Sequence, residues 1–168
     1  LLIDIKMVYK VKTLTTNLKN ENLINPMGIV IQKTNTVSRC PEIWVTNNGS
    51  NTVSHFDLNG HVLNPTNINT ANLPPTGIVY NSTSGFLVSD GVQTPLPSTL
   101  IAATQDGHII AWNNAINSNT FYSVYTADVG TVYTGLEIYG GLIYATDFGG
   151  DGKVDVIDST WTLQTGFS

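Results

Sequence analysis

Three stretches of this chain repeat one pattern, and an internal repeat restricts architecture more than any single motif does. NPMGIVI at 25–31 is answered by PTGIVY at 75–80 and by YTGLEI at 133–138, with Gly28, Gly77 and Gly135 in register at intervals of 49 and 58 residues. Downstream of each lies an apolar run ending in Thr and a polar residue: EIWVTN at 42–47, LIAATQ at 100–105 and LIYATD at 142–147. A polar turn follows. Then comes a strand that stops at Asp or Asn: TVSHFD at 52–57, HIIAWN at 108–113 and KVDVID at 153–158. Each unit predicts three antiparallel strands, with a variable link able to hold a fourth.

Four-stranded antiparallel units in series describe the blades of a β-propeller. The glycine opens the innermost strand, where neighbouring blades crowd together and a side chain would collide. The middle strand is almost continuously apolar because blades stack on both of its faces. A β-sandwich is the competing architecture, and it would need three coincident patterns. The expectation is therefore one all-β domain over 1–168, with blades at about 15–63, 64–120 and 121–168 and a strand at 7–14 completing the last blade of the ring. With 168 residues the chain supplies about three four-stranded blades, whereas a closed propeller needs roughly four to eight. It reads as half of a six-bladed ring with bare blade faces at both ends. The partners expected from this are the remaining half of a longer polypeptide or further copies of the chain.

Composition supports the strand reading. Thr, Asn, Ser, Val, Ile and Gly dominate, and the residues that build surface helices are scarce. Asparagine side chains imitate backbone turns and suit short loops, although an A+T-rich genome would enrich the same residues. Charged residues make up 11% of the chain, with 7 Lys+Arg against 12 Asp+Glu, which excludes a nucleic-acid module. No apolar run reaches the roughly 18 residues of a membrane span. Cys40 is the single cysteine, so no internal disulfide forms, and a lone thiol reads as packing.

The segments NPMGI at 25–29, IWVTNNGSN at 43–51 and VSHFD at 53–57 resemble the NHL-type propeller repeat. From about Tyr9 to Asp158 the chain is similar to an uncharacterised family of NHL-like propeller proteins, mostly bacterial and often exported. The resemblance implies a match to the N-terminal half of proteins about twice this length. Met27, where that family commonly has Trp, and Gln105, where it commonly has an acidic residue, depart from its pattern. The family brings no activity with it.

Ligands of propellers sit where loops meet around the central channel. By repeat position the equivalent polar strand ends are Asn47, Gln105 and Asp147, with Asn48, Asp106 and Phe148 beside them; these six are the candidate ligand-binding residues. Asn47 and Asp147 are the candidate metal ligands, for a calcium ion needing about six to eight oxygens. The competing reading is that the Thr-Asn and Thr-Asp pairs cap strand turns. The run from Asp147 to Asp155 fails the EF-hand test because Gly149 stands at its third position. His55, His61 and His108 lack the spacing of a zinc site, and no nucleophile elbow occurs. Trp44, Trp112 and Trp161 read first as packing and second as a sugar platform. Asn48 and Asn81 head glycosylation sequons. The Pro-bearing stretches at 63–75 and 91–98 read as interaction loops.

The resulting functional expectation is a non-enzymatic structural or interaction module with no cofactor, placed outside the cell, at its surface or in an assembled particle such as a virion. A protein or glycan is its expected ligand. Two alternatives stand beside it: a calcium-dependent, lactonase-like propeller hydrolase, and a carbohydrate-binding propeller.

Overall fold

The computed structural model describes residues 12–32, 40–150 and 152–166. Among them the regular structure is β-strand, apart from one 3-10 turn at Asn48–Ser50. Strands β1 (Pro26–Gln32), β2 (Glu42–Asn47), β3 (Thr52–Phe56) and β4 (Val62–Asn69) form an antiparallel sheet in that order. The second sheet opens with β5 (Pro75–Tyr80); a small hairpin, β6 (Leu87–Val88) and β7 (Leu96–Pro97), interrupts the chain before β8 (Leu100–Thr104), β9 (His108–Trp112) and β10 (Tyr122–Thr126) complete it. The third sheet holds β11 (Tyr133–Tyr139), β12 (Leu142–Asp147) and β13 (Lys153–Asp158). After β13 the chain doubles back, where Leu163 bridges to Ile157 and the Gln164 N–H donates to the Val156 carbonyl at 2.7 Å. Those residues begin the place that β4 and β10 fill in the other two sheets.

The three repeated strands fall where the sequence puts them, and the fourth strands correct the unit boundaries. Hydrogen bonding groups 26–69, 75–126 and 133–158, so divisions at 63/64 and 120/121 cut off strands that pair backwards. Both fourth strands are half-exposed at the sheet edge and carry polar residues, so they read as links. The stretch at 63–75, expected as an interaction loop, is largely β4, and the stretch at 91–98 includes β7. Most of the strand expected at 7–14 lies outside the described residues, and residues 12–14 are not in a strand. Cys40 is exposed, against the packing role expected of it.

The second sheet lies between the other two. One core, with Trp44, Ile68, Ile78, Leu100, Ala102, Ile110 and Trp112, fills the space between the first and second sheets. Another, with Val79, Ile101, Ala103, Ile109, Tyr133, Ile143 and Ile157, fills the space between the second and third. Alternate residues of β5, β8 and β9 therefore serve opposite cores, which is why the run at 100–103 is apolar throughout and β8 is fully buried. The three sheets do not close a ring.

The repeated glycines mark where the sheets meet. A Cβ on Gly28 would run into the Thr76 carbonyl oxygen of β5, and one on Gly77 would stand 2.6 Å from the Leu136 nitrogen and 2.8 Å from the Gly135 carbonyl carbon of β11. Neither position has a positive φ, so close approach of the backbones selects glycine here. Each first strand also breaks register just after its first residue, at Pro26/Ile29, Pro75/Ile78 and Tyr133/Gly135. The bulge and the glycine recur together. A Cβ on Gly135 would meet only the Thr146 side chain, at 2.8 Å, and among the described residues no further sheet packs against that strand from the other side.

Gly77→Ala is expected to lower stability by ~1–3 kcal/mol, as overpacking against fixed backbone does. Gly135→Ala should cost less, since a side chain there can yield. Urea midpoints of the two variants test the order.

Candidate functional site

The candidate strand ends are best placed by register. Pro26 pairs with Asn47, Pro75 with Thr104, and Tyr133 with Asp147. The equivalent positions are thus Asn47, Thr104 and Asp147, and Gln105 lies one residue beyond. The turn after β8 is shorter than the turns after β2 and β12, so aligning the Thr of each run slips the middle repeat by one. A one-residue slip reverses the face of a strand side chain.

All three equivalent residues are buried, and each reaches toward the residue that opens the next strand. Asn47 Nδ2 donates to Thr52 Oγ1 at 3.0 Å and to Ser54 Oγ at 2.7 Å. Thr104 Oγ1 accepts from the His108 N–H at 3.0 Å. Asp147 Oδ1 accepts from the Val132 and Gly149 N–H groups at 2.8 Å each, and its Oδ2 faces Lys153 Nζ at 4.0 Å. These contacts close hairpins, as the capping reading expects. The preceding position ties the strands from the opposite face: Thr46 Oγ1 accepts from the Gly28 N–H at 2.7 Å and donates to the Thr76 carbonyl at 2.5 Å, and Thr146 Oγ1 accepts from the Gly135 N–H at 2.7 Å.

Of the six candidate ligand residues, Asn48 and Gln105 are joined by a side-chain hydrogen bond: Asn48 Nδ2 donates to Gln105 Oε1 at 3.0 Å from the first sheet to the second. Asp106, next to Gln105, and Phe148, next to Asp147, are exposed. Asn47 takes part in a network with Ser54, Asn67 and Asn20 within the first sheet and the segment before it. Asp147 is committed to backbone amides of its own sheet. Asn47 and Asp147, offered for calcium, each bond within or beside their own sheet, and among the described residues no three His, Cys, Asp or Glu side chains cluster as a metal site. At the sequons, Asn48 spends its amide on Gln105, and Asn81 is 5% exposed with Nδ2 bonded to Gly85 and Ser98, so Asn81 is inaccessible to glycosyl transfer in the folded chain.

The three histidines stand apart. His61 Nδ1 lies 2.9 Å from Asp57 Oδ2, a contact that lowers the Asp57 carboxyl to about 2. His108 Nδ1 lies 2.9 Å from Ser123 Oγ. His55 is buried and stacks flat on Trp44, with ring centroids 3.7 Å apart. Burial pushes the His55 pKa below 6.5, while the Glu42 carboxylate at 3.2 Å pulls the other way. Trp44, His55 and Trp112 line a cleft of about 530 Å³ at the opposite end of the strands from Asn47, with Gln32, Glu42 and Asn114 among its other walls. The sequence carried a signal for this pair, because a hairpin that sets Asn47 opposite Thr52 also sets Trp44 opposite His55.

Exposed apolar side chains occur singly at Leu18, Leu58, Val62, Leu87, Val92, Val129 and Phe148, and together on two sheet faces. On β1 the side chains facing away from the second sheet, Ile29 and Ile31, are 64% and 50% exposed, with Met27 and Ile24 exposed nearby. On the far face of the third sheet Tyr139 is 77% and Val154 55% exposed. No large apolar side chain of the second sheet's four strands is exposed in this way. A groove of about 630 Å³ runs along β1, β5 and β11, lined by Ile29, Ile31, Val79, Leu136 and Ile138. Among the described residues no helix is long and apolar enough to cross a membrane.

No protein-family model matches the chain. It is 26% identical over 172 residues to an uncharacterised protein of Acanthamoeba polyphaga mimivirus, covering 95% of this chain and 41% of that protein. Two further uncharacterised proteins of the same virus are 29% and 28% identical, over 89% and 87% of this chain and 27% and 38% of their own lengths. The chain thus spans about two-fifths or less of these relatives. Among solved structures it is similar to the computationally designed Ika4 protein, with a TM-score of 0.52 and 12% identity over 84% of this chain and 71% of that one. The designed Ika8 protein gives a TM-score of 0.50 and 12% identity over 82% of this chain and 35% of its own.

Asn47→Ala should cost ~1–3 kcal/mol by stripping partners from buried Ser54 and Thr52, whereas Gln105→Ala should stay within ~0.5 kcal/mol. Denaturant titration measures both. The lowered His55 pKa means that the unfolded chain takes up this proton first as pH falls. Its contribution is neutral above 6.5 and becomes destabilising as pH drops through that value, levelling off below the folded pKa. In His55→Gln that component of the stability-against-pH curve should be missing.

Proposed function

We propose that the three sheets are consecutive blades of an NHL-like β-propeller, and that the chain serves as a non-enzymatic structural or interaction module. The observation that carries this reading is the contrast between the sheets. The middle one is covered on both faces, while Ile29 and Ile31 on one neighbour and Tyr139 and Val154 on the other face outward. An apolar strand row left in water marks an interface. The occupant proposed for both outer faces is further sheets of the same ring, carried by the same polypeptide. The greater length of the mimivirus relatives supports that choice. In such a ring the groove along β1, β5 and β11 becomes wall of the central channel. The engagement of Asn47 and Asp147 in hairpin closure supports a role other than calcium-dependent hydrolysis. An extracellular, cell-surface or particle setting suits the low charge and Asn-rich turns, and relatives encoded by a giant virus favour the particle.

The test compares this chain with the longer polypeptide that this reading requires, both in a Cys40→Ser background. Thiols introduced by Ile29→Cys and Tyr139→Cys should react quickly with a water-soluble maleimide in the 168-residue chain and slowly in the longer one, while Val92→Cys reacts quickly in both. Equal rates at Ile29→Cys and Tyr139→Cys in the two proteins would refute the reading.

A further inference from the structure

We propose that the cleft between the first and second sheets binds a neutral saccharide. It lies where β1 ends, β2 begins and β9 ends, remote from the strand ends at Asn47 and Asp147, and its volume of about 530 Å³ falls within the ~300–1,000 Å³ of small-ligand sites.

One buried donor among its lining residues has no partner. Trp112 is 3% exposed, and among the described residues its Nε1–H finds no acceptor. His55 beside it is 4% exposed, with Nε2 3.2 Å from a Glu42 oxygen and the Asn64 and Pro65 backbone next to the ring. Buried donors and acceptors are rarely left alone in a folded protein unless a water or ligand supplies the partner. Nearby, Trp44 Nε1 donates to Gln32 Oε1 at 3.2 Å, which fixes the Gln32 amide and leaves its NH₂ group for another acceptor.

The chemistry of the walls selects among ligands. Among the described residues no Lys or Arg lines the cleft, so they offer phosphates, carboxylates and nucleic acids no counter-charge. A cation would have the Glu42 carboxylate but not an open tryptophan face, because Trp44 and Trp112 are both buried and Trp44 stacks on His55. What remains is a set of groups that both donate and accept. The amides of Gln32, Asn114 and Asn119 match hydroxyls, each of which does the same, and the Glu42 carboxylate accepts from a pair of them. Asn114 and Asn119 stand on the exposed β9–β10 connection, where a rim can meet a ligand without disturbing either core.

The experiment follows the Trp112 indole N–H by NMR, assigned by its loss in Trp112→Phe, while maltose, mannose and N-acetylglucosamine are titrated. Inorganic phosphate and sialic acid serve as anionic controls. The expected result is a saturable shift of that resonance with at least one neutral sugar, and affinity about tenfold weaker or worse in the Asn114→Ala/Asn119→Ala double variant. Val92→Ala should bind as the unaltered protein does. The proposal is overturned by a Trp112 resonance that none of the neutral sugars moves, by undiminished binding in the double variant, or by anions binding equally well. Each of those results would leave the ring reading as it stands, since it concerns other faces of the sheets.

Discussion

The structure depends on three backbones coming closer together than side chains would allow. Gly28 lies against Thr76 and Gly77, and Gly77 lies against Gly135 and Leu136. The sheets are drawn together along their first strands and separate outward from there. The packing follows that wedge. Near the glycines the space between the first two sheets is narrow and is filled by Val30 and Ile78; further out it takes Trp44, Trp112 and Phe121. Between the second and third sheets Phe86, Tyr133 and Trp161 occupy the wider part. Interiors close-packed to crystal-like density need such a gradient in side-chain size if sheets are to diverge.

That geometry also explains why the polar residues at the strand ends are structural. Where three sheets approach closely, every hairpin at their near ends has to be closed without bulk. Asn47, Thr104 and Asp147 do so with short side chains that bond backbone or the neighbouring strand. The same crowding accounts for Thr46, whose hydroxyl links its own sheet to the Thr76 carbonyl of the next. In the third sheet Thr146 keeps the contact to Gly135, on a face that no neighbour covers among the described residues.

Much of this was readable from the chain. The glycine register, the three core strands per unit and the burial of both faces of 100–104 follow from period and spacing, because those signals come from local geometry and from close approach. The fourth strands were not readable. β4 contains Asn64, Pro65, Thr66, Asn67 and Asn69, and what holds it is pairing with β3, a nonlocal contact that leaves no hydrophobic alternation. The slip at Gln105 has a similar origin. A turn one residue shorter leaves the amino-acid pattern looking aligned while moving the side chain to the other face. Cys40 misled because composition assigns a lone thiol to a core, and only coordinates show that it lies outside one.

The two ends of the sheets are consequently free to do different work. At the end near Asn47 the turns are short and their side chains are spent on closure. At the other end the chain runs between 57 and 61, between 81 and 99 and between 113 and 121, connections of unequal length. A cleft can open there because the wedge is widest away from the glycines, and its floor is made of the large aromatic side chains that the wedge requires. Trp44 and Trp112 are thus recruited by packing first. Trp112 and His55 then line a space whose rim includes the exposed Asn114 and Asn119. A fold that must place large aromatic rings between diverging sheets acquires, at no further structural requirement, buried hydrogen-bonding edges next to loops that can vary.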